Sequence, residues 1–204
     1  PAGLPVDVRL ELAQVVAGLA GHRRKGTGIL VVVEQAVEQI LAPGGALEIF
    51  TKARQKGQIR YIGFSAHTEE AALALLDQFP FDSVLFPFNW VCWHAGKFGP
   101  RVLEKAQDKG TGLLALKALA KRPWQDAETR SWPKCWYKPV EAAQEARMAM
   151  RFTLSLPVTA AVSPGHAELL WWACDAADDY QPLHEQESRQ IATRARQIVP
   201  IFHS

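Results

Sequence analysis

Ser65, His67, Cys92, His94 and Lys117 are the side chains with the most chemistry to offer, because each stands where an apolar run breaks off. Ser65-Ala66-His67 closes the run Q-I-R-Y-I-G-F, so these side chains either face a pocket at a strand end or lead into a helix capped by Thr68. Lys117 interrupts L-A-L-K-A-L, and a cation there needs a partner or a water-filled mouth. Such a lysine binds phosphate, makes a structural ion pair or, if desolvated, condenses with a carbonyl as a Schiff base. Phosphate binding or pairing is the simpler role. Cys92-Trp93-His94, read as extended, places thiol and imidazole on one face, yet nothing nearby would orient the imidazole. With Cys135 added, the spacing matches no zinc pattern, so no metal site is expected and buried free thiols are. No G-x-S-x-G, H-E-x-x-H or G-x-x-x-x-G-K-[ST] occurs.

The elements that must position these residues alternate regularly. Strands are expected at 59–65, 83–88, 112–116 and 158–163, each apolar with little alternation, as in a parallel sheet covered on both faces. Helices are expected at 46–55, 69–76, 101–109, 140–156, 167–177 and 185–198. Strict alternation implies right-handed crossovers, and the fold class is α/β. Residues 6–19 and 29–41 read as helices, although I-L-V-V-V at 29–33 has the β-branched content of a strand. The expected organisation is one domain over 1–204, with a divergent helical segment at 1–45, βα units over 46–178 and a closing helix over 179–204.

Composition narrows the partners. The 23 basic and 21 acidic side chains are dispersed, leaving a net charge of +2 and no footprint for nucleic acid. The basic cluster at 22–25 reads as a solvated turn. Three unpatterned cysteines suit a reducing cytoplasm, and no window has the ~18 apolar residues of a membrane span. A cytoplasmic protein with no membrane partner is expected. Of seven tryptophans, Trp90, Trp93, Trp124, Trp132 and Trp136 fall in segments read as loops after strands, where they line a pocket or cover the core.

Four stretches, LAPGGALEIFTKARQKGQIRYIGFSAHT, FDSVLFPFNWVCW, GPRVLEKAQDKGTGLLALKALAKRPW and RFTLSLPVTAAVSPGHAELL, closely resemble the second half of the aldo/keto reductases. That resemblance implies a partial, TIM-type (β/α)8 barrel of about four βα units, a truncated member of the family, with ligands at the carboxyl ends of the strands. It implies an oxidoreductase moving hydride from NADP(H) to a carbonyl compound. It places Ser65 and His67 at the nicotinamide amide with Asn89 nearby, Lys117 and the residues to Lys121 beside the pyrophosphate, and Ser163, Pro164, Gly165, His166 and Glu168 at the adenosine phosphate, where a helix amino terminus receives anions. The pattern departs at Leu85, where the family often has Gln, and in having no arginine at that last helix start. The family's catalytic Asp, Tyr, Lys and His are not matched. Tyr61, Tyr137 and Tyr180 fall outside its Tyr motif, leaving His67, His94 and Lys117 as the available chemistry. A nucleotide- or anion-binding protein without redox chemistry, and a repurposed hydrolase or lyase, are the alternative readings. A half-barrel with strands 59–65 and 158–163 as open edges is expected to close as a homodimer.

Overall fold

Strands with little polar alternation need cover on both faces, and the helices between them supply one side of it. The computed structural model describes residues 26–31 and 37–204. Their order is β1 (Gly26–Val31), α1 (Val37–Leu41), α2 (Ala46–Gln55), β2 (Ile59–Ser65), α3 (Glu69–Gln78), β3 (Ser83–Pro87), α4 (Trp90–His94), α5 (Pro100–Asp108), β4 (Gly112–Leu116), β5 (Ala120–Pro123), β6 (Tyr137–Pro139), α6 (Ala143–Ser155), β7 (Ala160–Ala161), α7 (Ala167–Asp178) and α8 (Glu185–Ala195). Strands β1, β2, β3, β4 and β7 make one parallel sheet in that order, and β5 pairs antiparallel with β6. The architecture is a partial TIM-type barrel.

Residues 26–31 overturn the helix expected over 29–41. Backbone pairing with β2 along Gly26 to Val31 wins there, in line with the β-branched content, and among the described residues of that span the helix is Val37–Leu41. The helical description of 1–45 is corrected at residues 26–31, which are strand. Strand β2 is therefore interior, bonded to β1 and β3, and among the described residues the sheet edges are β1 and β7. The helix expected over 6–19 and the basic cluster at 22–25 lie outside the described residues. At the other edge, β7 is two residues long where 158–163 was expected. There the Thr159 hydroxyl, in place of a main-chain carbonyl, accepts the Leu113 N–H at 3.1 Å.

Local chemistry sets the helix starts. Thr68 caps α3, its Oγ1 accepting the Ala71 N–H, and two glutamates follow in the first turn. Pro100 opens α5 after Gly99, whose φ of 110° suits glycine. The start of α8 is a capping box between His184 and Glu187. Arg151 of α6 grips Glu187 with two bonds of 2.7 and 2.8 Å and holds its carboxyl down to about 2.

Register separates the two faces of the sheet. Phe64, Val84, Leu113 and their alternates Ile62, Phe86 and Ala115 are buried against Ala72, Leu75 and Leu76 of α3 and Val102 and Ala106 of α5. On the opposite face lie Leu85, Leu114 and Leu116, only half-buried, with Tyr61 exposed. Gly63 sits on that second face, where a Cβ would stand 2.9 Å from the Ser83 carbonyl oxygen, so glycine is needed for the approach of the strands.

The segment between β4 and α6, read from sequence as loop, contains the β5–β6 pair. Glu128 stitches it, accepting both Arg122 nitrogens at 2.8 Å and the Lys138 ammonium at 2.5 Å. Those bonds, Arg122 first, hold the Glu128 carboxyl far below the usual carboxylate range.

Candidate functional site

In a parallel βα sheet the helix amino termini and loops gather at the carboxyl ends of the strands, and that is where the residues singled out from sequence fall. Ser65 is the last residue of β2 and is buried. The cap of α3 is Thr68, leaving Ser65 and His67 outside that role. The His67 ring lies 5.9 Å from that of Phe202, which also stacks on Phe98 at 5.3 Å. Both rings border a cavity of about 250 Å³ with Glu69, Ile201 and Ser204.

Asn89 follows β3 and is spent structurally. Its Oδ1 accepts the N–H groups of Val91 and Cys92 at 3.1 and 2.9 Å, and its Nδ2 donates to the Cys92 sulfur at 3.3 Å. These bonds start α4, a helix in a segment read as extended. The Cys92–His94 reading is thereby corrected: at about 100° per residue the two side chains diverge by about 200° around the axis. His94 packs on the Phe152 ring at 5.2 Å, and burial pushes its imidazole below its ordinary value. Burial pushes the Cys92 thiol up, against hydrogen bonds from the Phe202 backbone, the Asn89 side chain and the Ile201 backbone. Among the described residues no cluster of histidine, cysteine and carboxylates could hold a metal.

Lys117 follows β4 in the left-handed region at φ 63°, a conformation that costs a non-glycine residue about 1–3 kcal/mol. Its Nζ lies over two rings of the segment between β4 and α6, Tyr137 at 5.2 Å and Trp136 at 5.6 Å. Tyr137 is buried and its hydroxyl bonds the Cys135 sulfur; burial first, then Cys135, raises the phenol above its usual range.

Ser163, Gly165 and His166 follow β7 and lead into α7, with Glu168 exposed in its first turn. The Ser163 hydroxyl bonds the Pro164 carbonyl at 3.2 Å. His166 Nε2 accepts the Lys134 N–H at 3.1 Å, and its ring meets Trp132 edge-on at 5.2 Å. Lys134 was missed from sequence. It lies between β5 and β6 and brings its exposed side chain past Gly165, where a Cβ would lie 3.9 Å from the lysine Cδ. The spacing of 31 residues between Lys134 and Gly165 gave no local signal for that contact.

An amino terminus of a twelve-residue helix beside a lysine favours an anion. The described residues thus join an anion-favouring end at α7 to a more enclosed end at β2 and β3.

Neither a family model nor a curated protein matches this chain. Solved structures do. An aldo-keto reductase from Bacillus halodurans superposes on 87% of this chain with a TM-score of 0.58 and 17% identity, in apo and holo forms. The fold is that of the aldo-keto reductases. A glycerol dehydrogenase from Gluconobacter oxydans matches 88% of the chain at a TM-score of 0.52 and 18% identity, and an aldo-keto reductase from a Medee basin deep-sea metagenome library matches 87% at 0.58 and 11%. This chain covers only 64%, 62% and 62% of those three chains, so it has the fold of part of an aldo-keto reductase. No helix among the described residues is long and apolar enough to cross a membrane.

Proposed function

We propose that this chain is an aldo-keto-reductase-like oxidoreductase that binds NADP(H) at the carboxyl ends of β2, β3, β4 and β7 and acts on carbonyl compounds. The observation that carries the reading is the amino terminus of α7 with Lys134 alongside Gly165. Ser163, Gly165, His166 and Lys134 would hold the adenosine phosphate, Lys117 would neutralise the pyrophosphate, and Ser65 and His67 would meet the carboxamide. The bound nicotinamide supplies the hydride. The fit is good at the phosphate end and poorer at the amide end, where the Asn89 side chain is already committed to α4.

NADPH titrated against the intact protein should bind with its fluorescence enhanced, and Lys134→Ala should weaken it about tenfold, as expected for one charge-assisted contact. Affinity unchanged in Lys134→Ala would remove α7 from the site, and no binding at all would remove the cofactor.

Self-association belongs to the same proposal. The half-buried Leu85, Leu114 and Leu116 on the second sheet face, and β1 as a sheet edge among the described residues, favour pairing with a second copy. Light scattering at micromolar concentration should give about twice the 22.6 kDa chain mass. A monomer at all concentrations would mean that this face is covered from within the chain.

A further inference from the structure

We propose that two copies of this chain meet edge to edge, the exposed face of α7 in one lying alongside the exposed face of α2 in the other. The inference rests on the self-association proposed above and assigns it to these two helices. Helix α7 follows β7 and α2 lies between β1 and β2, so they flank the two sheet edges among the described residues.

Helix α7 turns Leu169, Ala173 and Ala176 to the core, while Trp172 and Asp175 border a groove against α6. Its remaining face is apolar yet exposed. Leu170 is 43% and Trp171 64% exposed, and Cys174 and Ala177 are exposed beside them. Single exposed apolar side chains are ordinary, but four on one helix face make a patch that a partner covers. The patch ends at the exposed Asp178, which stands at the negative end of the helix dipole with no basic side chain in that last turn. A cation brought by a partner is favoured there.

Helix α2 presents the complement. Ile49 is 62% exposed, and Lys52 and Lys56 follow on the same face, three and seven residues on. Glu48 engages Lys52 along the helix, and Lys56 stands one turn beyond that pair. Trp171 and Asp178 are seven residues apart, as are Ile49 and Lys56. Seven residues make two turns, or about 10 Å. Helices side by side in a parallel βα sheet run the same way. So placed, α7 sets Leu170 and Trp171 against Ile49, and Asp178 against Lys56 two turns further on. An antiparallel pairing of α7 with a second α7 would instead leave both Asp178 carboxylates opposite apolar side chains. A two-fold axis along the strands makes the α7–α2 contact twice and closes the pair.

The test uses the intact protein. Lys52, seventh in α2, falls level with Cys174, eighth in α7. In Lys52→Cys a short bismaleimide should join Cys174 of one copy to position 52 of the other, assigned by mass spectrometry, while the unsubstituted chain stays uncrosslinked because Cys92 and Cys135 are buried. Asp178→Lys and Lys56→Glu, each alone, should weaken the dimer about tenfold in sedimentation, since like charges then face each other at both contacts. An equimolar mixture of those two variants should pair as the unsubstituted chain does, because both contacts again hold opposite charges. A dimer that neither reversal weakens and that does not crosslink would overturn the α7–α2 contact and leave self-association to the second sheet face. Crosslinking of Cys174 to Cys174 in the unsubstituted chain, or a mixture that fails to pair, would overturn it as well. An unsubstituted chain that stays monomeric would overturn the self-association together with this contact.

Discussion

Carbonyl reduction by this chain with NADPH should run about 10²- to 10⁴-fold below an ordinary reductase, even with the cofactor saturating. General acid catalysis supplies that range of rate, and a positioned proton donor is what the described residues lack. Tyr137 is the phenol nearest to a strand-end lysine, but its hydroxyl is bonded to Cys135 and burial holds it protonated and enclosed. The Tyr180 hydroxyl is engaged elsewhere, with Ser155 and the Leu154 carbonyl. Tyr61 lies in the amino-terminal half of β2, away from the strand ends. His94 is turned into the Phe152 packing, and burial pushes its imidazole below its ordinary value. A steady-state assay over a panel of aldehydes decides the matter. Turnover in the ordinary range of about 1–10³ s⁻¹ would refute the expectation. If that turnover were then abolished by Tyr137→Phe, the Lys117–Tyr137 contact would be the acid after all.

The strands and crossovers were legible because they are apolar without alternation and punctuated by turn residues. The second helix after Pro43 and the helices after β2 and β7 fall within a residue or two of where spacing puts them. Residues 26–31 were not legible, since a short aliphatic run fits strand or helix and only its pairing with β2 decides. Helix α4 was missed for a different reason. Its five residues are too few to show a period, and its start depends on the Asn89 cap rather than on apolar spacing. The candidate site divides in the same way. Residues at strand ends, Ser65, Asn89, Lys117 and Ser163, follow from knowing where the strands stop. The Lys134 contact with Gly165 comes from long-range packing of the segment that holds β5 and β6, to which no local pattern points.

Asn89 shows how a residue at the right strand end can be committed to something other than a ligand. Its side chain satisfies two backbone N–H groups of α4 and one thiol, all buried, and its own exposure is 1%. Loss of a helix cap costs about 0.5–2 kcal/mol, and a buried donor left unpaired costs about 1–3 kcal/mol. Asn89→Ala removes the cap for both N–H groups at once, so a loss of about 2–3 kcal/mol is expected. For a chain of this size that lowers the melting temperature by about 4–12 °C. NADPH affinity of the folded fraction, by contrast, should change little, since the Asn89 oxygen and amide nitrogen are bonded to α4 and Cys92. The opposite pattern, an unchanged melting temperature with NADPH binding lost, would place Asn89 in the cofactor site and require α4 to be held by its packing on α6 and α8 alone. Thermal unfolding and fluorescence titration on the same preparation separate the two.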